Sequence, residues 1–339
     1  MKNEASQKLW CMKGGKHGEN EARFLSEGRI EGWFGDFSDC KTLEEVTAMI
    51  RNRQPHLKKA AAINYGSQMH ALMNRMKKGD LIALPLKTTK KIAIGRLSNK
   101  TGYSPDKNGT NGGNWRKVNW LEKDLDRSLF GQDIRNSFGA FITICQITKN
   151  DALTRVKSIL STGVDPRWHG ENNIVDTDEE EGPLDLVQAA RDRLVGLIEA
   201  RFKGHNFTTL IADLLRARGY EVKQSPPGPD GGIDLVAAPS PWGKNLLSIV
   251  VQVKSGGRTG QDEIQKLIGN HAETGTDLAL IVSWGGFKKG MESKLIKKSV
   301  KIRLWDSDKV ISEIESNYEA LNSDIKSQLP LEWTLVPRE

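Results

Sequence analysis

Cysteine is scarce in this sequence, with three residues, Cys11, Cys40 and Cys145, among 339. They are widely spaced and form no CxxC pair, so the sequence predicts neither a zinc site nor a disulfide framework, which fits a reducing cytoplasm. Long apolar runs are also missing, because the longest, such as 278–282, have the length of a strand and not the ~20 residues that span a bilayer. No N-terminal stretch has the pattern of a signal peptide. We therefore expect a cytoplasmic protein without a membrane partner.

The charge balance leans towards the basic side. Lysine and arginine together number 50 against 43 aspartate and glutamate residues, which gives a net charge of +7. This balance suits a polyanionic partner, although many soluble proteins are equally basic. At ~100–200 residues per domain the length predicts about two domains. The acidic segment 161–183 predicts an extended linker between a domain at 1–160 and a second at 184–339, because like charges repel and few apolar residues are present.

Two segments predict a β-hairpin in the second half of the chain. The first, Gly228-Pro-Asp-Gly-Gly-Ile-Asp234, is a Pro/Gly turn that leads into a short strand. The second, 246–254, is a longer apolar strand that is followed by Ser-Gly-Gly. Residues 239–245, with two prolines and a glycine, are then the hairpin loop.

The hairpin predicts a cluster of three polar side chains. Centring its loop on Trp242 places Asp234 opposite Val250, and Gln252 and Lys254 share the parity of Val250. Side chains of equal parity project from one face of a hairpin, so a carboxylate, an amide and an ammonium converge at a strand end. This set suits metal-assisted phosphodiester hydrolysis, since carboxylate and amide oxygens bind Mg²⁺ and an ammonium stabilises developing negative charge. Taken alone, a surface strand or a buried Asp–Lys ion pair explains the same pattern.

The segments around the hairpin narrow these alternatives. An amphipathic helix precedes it and ends at Gly219, a strand follows that helix, and 274–287 contains a buried strand that ends in Ser-Trp-Gly-Gly-Phe. In this order the segments resemble the catalytic domain of Mrr-type restriction endonucleases, within the PD-(D/E)xK superfamily, over roughly 204–310. The resemblance implies an α/β fold with a mixed sheet flanked by helices. It also implies Mg²⁺-dependent cleavage of double-stranded DNA, with Mn²⁺ as a substitute metal.

The resemblance also assigns residues to the site. It implies Asp234, Gln252 and Lys254 as catalytic residues, and Asp234, Gln252 and the backbone carbonyl of Val253 as metal ligands. Cutting both strands needs two active sites, so we expect a homodimer or a higher homo-oligomer.

The sequence departs from the family at one position. The family's first helix usually carries Glu directly after its Phe, and here Phe207 is followed by Thr208. Glu199 and Asp213 are both candidates for the missing carboxylate, and the spacing does not choose between them.

The N-terminal half is rich in strands that combine aromatic residues and cations. Its Gly-Trp-Phe-Gly segment, its Lys-Gly-Asp turn before a strand, its Ile-Gly-Arg strand and its Trp-Leu strand resemble a PUA/EVE-like domain, a small β-barrel. Such domains often read nucleic acids or modified bases, which implies base-reading roles for Trp10, Trp33 and Phe34. Barrel core is the alternative for the tryptophans. Candidate DNA-binding cations are Arg116 and Lys117 in this half, and Lys288 and Lys289 in a basic helix, for which a solvated helix face is the alternative.

The predicted function is therefore a metal-dependent DNA endonuclease of restriction or phage defence, which senses modified or foreign DNA. Two rivals remain open at this stage. One is a catalytically weak or non-catalytic nucleic-acid-binding module, which the missing helix glutamate suggests. The other is a nuclease that a partner protein of a defence system activates.

Overall fold

The computed structural model describes residues 7–105, 112–139, 142–166, 186–226, 232–239, 247–288, 291 and 302–332. The chain forms two compact units. The first contains Met1–Arg127, Ser137–Leu160 and Glu181–Pro183, and the second contains Ser128–Asn136, Ser161–Glu180 and Leu184–Glu339. Ser128–Asn136 thus belongs to the second unit although it lies inside the predicted domain 1–160. Most of the predicted acidic linker, from 167 onwards, lies outside the described residues.

The first unit is built on one six-stranded sheet. Its strands follow the order β2-β5-β4-β3-β1-β6, with β1 and β3 parallel and all other neighbours antiparallel. Among the described residues no pairing joins β2 to β6, so the sheet is not closed and the predicted barrel is not confirmed. The elements are β1 Leu9–Met12, α1 Glu21–Glu27, β2 Arg29–Glu31, α2 Leu43–Arg53, α3 Lys59–His70, β3 Leu81–Pro85, β4 Lys91–Ser104, β5 Gly113–Asp126, α4 Gln132–Phe138, β6 Ile144–Ile147 and α5 Ala152–Thr162, of which α4 and α5 cross the boundary between the units.

Local sequence signals explain the helices of this unit. Thr42 and Glu45 form a capping box at the start of α2, in which each side chain accepts from the backbone N–H of the other residue. A π-helical turn, Ala71–Arg75, extends α3. The side chains of Met69 and Met76 are buried in the core of the unit, where they pack against apolar neighbours.

Trp10 is a core residue of this unit. Its side chain is fully buried, and its indole Nε1 donates to Oδ2 of Asp80 at 3.0 Å. The same carboxylate accepts the backbone N–H groups of Lys8 and Lys77, so Asp80 ties β1 to the turn before β3. A ring enclosed in this way offers no face to a base, which corrects the predicted base-reading role of Trp10.

The second unit is built on a five-stranded mixed sheet, which confirms the predicted architecture. Its order is β11-β10-β9-β8-β7, in which β9, β10 and β11 are parallel while β8 runs antiparallel to β7 and β9. The elements are α6 Leu186–Arg201, α7 His205–Ala217, β7 Tyr220–Gln224, β8 Leu235–Pro239, β9 Ile249–Lys254, α8 Gln261–Thr274, β10 Leu278–Ser283, β11 Ile302–Trp305, α9 Ser307–Asn317 and α10 Ser323–Gln328.

Helices cover both faces of this sheet. Val251 and Val253 of β9 pack in a core with α6, α7 and α9, whereas Val250 of β9 packs in a second core with Ile264 and Leu267 of α8. The period-two alternation of a strand thus explains why β9 and β10 are apolar almost throughout. No helix among the described residues is long and apolar enough to cross a membrane.

The environment of Trp10 generates a first prediction. Trp10→Ala removes a large buried ring and leaves Asp80 without one of its donors, so we expect the free energy of unfolding to fall by about 3–5 kcal/mol. Urea unfolding of the full chain measures this loss. Trp33→Ala is the matched control, because Trp33 is only half-buried, and its loss of stability should be smaller. An unchanged stability of Trp10→Ala would contradict the core assignment.

Candidate active site

Strands β8 and β9 bring Asp234 next to Gln252. The ladder pairs Leu235 with Val251 and Val236 with Val250, so its continuation brings Asp234 level with Gln252 and not with Val250. The predicted register was therefore wrong by two residues. A shift of two preserves the face on which each side chain lies. Leu235 and Val251 point into the α7 core, and alternation places Asp234, Gln252 and Lys254 together on the opposite face, which is the face of α8.

Two hydrogen bonds fix Asp234 at the start of β8. Its backbone N–H donates to the carbonyl of Val251 at 3.0 Å, and its Oδ2 accepts the N–H of Val253 at 2.8 Å. The carboxylate thus bonds to the backbone of the strand that carries Gln252 and Lys254. Its position relative to these two residues is set by β-sheet geometry and does not depend on the loop 240–246, which lies outside the described residues.

Gln252 is the most unusual residue of the site. Its side chain is 2% exposed, and its Oε1 has no hydrogen-bond donor among the described residues. A buried amide oxygen without a donor costs about 1–3 kcal/mol of stability, so such atoms are rare. A divalent cation would satisfy this oxygen, and amide oxygens are accepted ligands of hard cations.

Gly232 allows the turn before β8 to approach this amide. Its φ is +90°, and a Cβ there would lie 3.2 Å from Nε2 of Gln252 and 3.6 Å from Nδ2 of Asn270. A side chain would therefore be strained by the backbone and would press on the Gln252 amide. Glycine at position 232 thus has a physical reason in the packing of the site.

The backbone after Lys254 is held by the loop that follows β10. The carbonyl of Lys254 accepts the N–H of Trp284 at 2.8 Å. A Cβ at Gly285 would lie 2.5 Å from the carbonyl oxygen of Gly256, so only glycine fits where the two loops meet. The side chain of Lys254 is half-buried and forms no ion pair among the residues that the structure describes. This arrangement does not favour the alternative of a buried Asp–Lys pair.

The position that lacks the family's helix glutamate and the two candidates to replace it have distinct environments. Thr208, on α7, is buried. Asp213, on the same helix, accepts hydrogen bonds from the backbone N–H and from Nδ2 of Asn322, at 3.0 and 2.8 Å, so it holds the N-cap residue of α10. Glu199 on α6 accepts both Nη atoms of Arg135, at 3.0 and 2.9 Å. Both candidate carboxylates thus already have structural partners.

Trp284 and Arg135 are features that sequence reasoning missed. The indole Nε1 of Trp284 donates to Oε1 of Glu199 at 3.2 Å, and its ring packs edge-on against Phe207 with centroids 5.4 Å apart. Glu199 and Trp284 also line a cavity of about 200 Å³ together with Ser255, the neighbour of Lys254. The Trp-Gly-Gly signal after a buried strand was visible in the sequence, but nothing in it links Arg135 to a residue 64 positions away.

The predicted DNA-binding cations differ in how accessible they are. Lys288 is exposed, and Lys289 lies outside the described residues. Arg116 is buried and donates to the carbonyls of Leu72 and Met73, at 2.9 and 3.0 Å, which corrects its predicted phosphate contact. Burial also lowers the pKa of the Arg116 guanidinium. Lys117 is exposed, although its Nζ donates to a backbone carbonyl of α1.

Trp33 and Phe34 lie side by side with a third ring. Both are half-buried, and their ring centroids are 5.9 Å apart. Tyr65 of α3 contacts Trp33 at 6.5 Å and Phe34 at 5.0 Å. Phe34 has φ +70°, a left-handed conformation that is uncommon outside glycine, and Nη1 of Arg53 donates to its carbonyl. The strained turn therefore presents two aromatic rings at the edge of the core.

Comparison with known proteins identifies part of the chain. Residues 199–314 match the family model described as a restriction endonuclease, Mrr_cat. This segment is thus similar to restriction endonuclease domains. It contains Asp234, Gln252 and Lys254, and the match confirms the nuclease resemblance for the second unit. Residues 10–140 match a domain of unknown function, DUF8426, so the PUA/EVE-like assignment is not confirmed.

No curated protein matches the chain. Among solved structures, it is similar to the DNA modification-dependent restriction endonuclease AspBHI, with 13% identity over 89% of this chain and 79% of that chain and a TM-score of 0.34. It is also similar to the MspJI restriction endonuclease in complex with a 27-mer oligonucleotide, with 13% identity over 91% and 75% of the chains and a TM-score of 0.32. Likenesses of this size carry no conclusion about this chain.

The orphaned amide oxygen generates a second prediction. Gln252→Leu removes the unsatisfied atom at nearly constant volume, so in metal-free buffer we expect a melting temperature equal to or above that of the wild type. The matched control is Gln68→Leu, because Gln68 is also buried but both ends of its amide are bonded, to Asn64 and to the backbone of Ile144. Gln68→Leu should lower the melting temperature. An equal decrease of the melting temperature in both variants would show that the Gln252 amide has an ordinary structural role.

Proposed function

We propose that this protein is a Mg²⁺-dependent DNA endonuclease that hydrolyses phosphodiester bonds in restriction or phage defence. One observation carries the proposal: Asp234, Gln252 and Lys254 converge on one face at adjacent strand ends within a restriction endonuclease domain. A carboxylate, an unsatisfied amide oxygen and an ammonium form the donor set that metal-assisted phosphodiester hydrolysis requires.

The residues of the site fit a hard divalent cation. Asp234 and Gln252 would hold it through their oxygens, with the carbonyl of Val253 as the further predicted ligand, and Mn²⁺ would substitute for Mg²⁺. When bound, the cation supplies Lewis-acid polarisation of a phosphoryl oxygen and makes a water more acidic. Lys254 places a positive charge at the same strand end, where it stabilises negative charge that develops on the phosphate. Asp234 also anchors the backbone of β9 and so keeps Lys254 in position.

The DNA substrate is inferred from the family of the second unit and from the positive net charge. Lys288 and Lys117 are exposed and can contribute sequence-independent phosphate contacts. Cleavage of both strands by one kind of active site implies a homodimer or a higher homo-oligomer. Activation by a partner protein of a defence system is compatible with the same site.

The catalytic assignment generates a third prediction. Lys254→Ala and Asp234→Asn should each lower the rate of plasmid cleavage by about 10²–10³-fold, because each removes a positioned charge from the site. DNA affinity measured with Ca²⁺ in place of Mg²⁺ should change little for Lys254→Ala. The matched control is Lys266→Ala, an exposed lysine on α8, which should cut like the wild type. Nicking at the wild-type rate by Lys254→Ala would remove that residue from the mechanism.

One observation favours a second candidate function. Thr208 stands where the family usually has a glutamate, and Glu199 and Asp213 have structural partners. A site with fewer carboxylates binds a divalent cation less tightly, which is the basis for a non-catalytic DNA-binding module. Plasmid, phage and modified DNA incubated with and without Mg²⁺ or Mn²⁺ separate the two: binding without any metal-dependent cleavage would support the binding module.

We further propose that the first unit reads modified bases through Trp33 and Phe34. A base that is read in a pocket must leave the duplex stack, which costs a few kcal/mol. Stacking on an aromatic ring stabilises the flipped base by about 1–3 kcal/mol, which is close to the free energy lost on leaving the duplex. A modification that adds contacts or weakens base pairing can therefore make flipping favourable. The half-buried rings, the neighbouring Tyr65 and the left-handed turn at Phe34 support this assignment.

The reader assignment generates a fourth prediction. Trp33→Ala should reduce the ratio of affinities for modified and plain DNA, measured by fluorescence anisotropy on matched duplexes, while the cleavage rate at saturating DNA stays within about threefold. Trp120→Ala is the matched control, because Trp120 is also half-buried but donates its indole N–H to the carbonyl of Phe24. It should lower the melting temperature without changing selectivity. A folded Trp33→Ala protein with unchanged selectivity would remove this surface from base reading.

A further inference from the structure

A chain of contacts leads from a buried arginine to the backbone of Lys254. Arg135 is fully buried and forms two parallel hydrogen bonds to Glu199, whose side chain is 12% exposed. Oε1 of Glu199 also accepts the indole N–H of Trp284, and the backbone N–H of Trp284 donates to the carbonyl of Lys254. All four residues belong to the second unit.

Further hydrogen bonds hold the segment 128–136, which carries Arg135, and the backbone of Trp284. The hydroxyl of Ser128 donates to the carbonyl of Trp284 at 2.6 Å, and Oδ2 of Asp165, a buried residue, accepts the N–H of Gly131 at 3.0 Å. Trp284 is therefore bound at its N–H, its carbonyl and its indole. Two of the contributing residues, Ser128 and Arg135, come from a segment outside 199–314, the residues that match the restriction endonuclease model.

A buried arginine–glutamate pair of this kind is a poor source of net stability. Removing both charges from water costs nearly as much as their attraction returns, and replacing such a pair by apolar residues of similar size is often neutral or stabilising. The two parallel bonds instead impose a fixed orientation on the carboxylate, because the guanidinium fork is planar and rigid. The carboxylate in turn directs the Trp284 indole, so orientation is what this pair contributes.

We propose that Arg135 is a positioning residue of the nuclease site: it acts through Glu199 and Trp284 on the backbone of Lys254 and holds that side chain in line with Asp234. This inference rests on the proposed nuclease function. In this proposal Glu199 orients the Trp284 indole on the face of the sheet that α6 and α7 cover. Gln252 and Lys254 act on the opposite face. A small displacement of a catalytic group is enough to slow a reaction severely, by about 10²-fold for 1 Å.

The test compares full-chain variants by three measurements: the single-turnover cleavage rate at saturating DNA, the DNA affinity with Ca²⁺ in place of Mg²⁺, and the melting temperature. Trp284→Phe removes only the indole donor and keeps a ring beside Phe207. We expect its cleavage rate to fall about 10- to 100-fold, with DNA affinity unchanged. Trp305→Phe is the matched control, since Trp305 lies in the same core on the neighbouring strand β11, and it should cut like the wild type.

A second pair of variants keeps the test independent of folding. Arg135→Met combined with Glu199→Leu removes both charges but leaves the Trp284 indole without its acceptor. The melting temperature should therefore fall less than in Arg135→Met alone, which leaves the Glu199 charge buried and unpaired, while the rate falls as in Trp284→Phe. Arg135→Lys keeps the charge but loses the fork, and it should restore part of the rate relative to Arg135→Met.

Three outcomes would overturn the inference. Wild-type rates in Trp284→Phe and in the double variant would make the ion pair purely structural. Equal losses of rate in Trp305→Phe and Trp284→Phe would point to general loosening of the core. A wild-type protein that fails to cut any DNA with Mg²⁺ or Mn²⁺ would overturn the proposed function and this inference together, whereas the first two outcomes leave the proposed function intact.

Discussion

Burial of β9 on both faces is the constraint on which the catalytic unit depends. Its neighbours β8 and β10 satisfy its backbone, and helices cover its side chains on each face, so the middle of the strand has no room for chemistry. Polar groups can act only where the strand ends. The carboxyl ends of the parallel strands β9 and β10 lie at the same edge of the sheet, because Lys254 pairs with Ser283. Ligands of open α/β sheets bind outside these carboxyl ends.

The sequence predicted the face of each site residue better than it predicted the register. The alternation of β9 and β8 is strict, so any even shift keeps Asp234, Gln252 and Lys254 on one face. Centring the hairpin on Trp242 assumed a symmetric loop, and the ladder that pairs Leu235 with Val251 shows that its centre lies one residue later. Apolar runs and turns marked the individual strands, whereas the mixed sheet was implied by the resemblance to Mrr-type endonucleases, and the order of its strands was not predicted.

Contacts between distant segments could not be predicted from the sequence. Arg116 lies beside Trp115 and Lys117, where a phosphate-binding residue was expected, but it donates to the carbonyls of Leu72 and Met73 in the π-helical turn. Asp213 and Glu199 were both candidates for the missing carboxylate, yet they bind Asn322 and Arg135, each more than 60 residues away in the sequence. The partners of a buried charge depend on packing, and periodicity describes only the element on which the charge lies.

Gln252 differs from two other buried polar side chains, Asp80 and Gln68, because one of its polar atoms lacks a hydrogen-bond partner among the described residues. Asp80 and Gln68 are buried and bonded, and each connects neighbouring elements of the first unit. Gln252 is equally buried, but its Oε1 has no donor among the described residues, and the adjacent turn has a left-handed glycine at Gly232. Such losses of stability persist where the surrounding structure fixes the group in place and the group serves a function. Here the bonds of Asp234 to β9 fix the site. Binding a cation is the function that fits an amide oxygen beside a carboxylate and an ammonium.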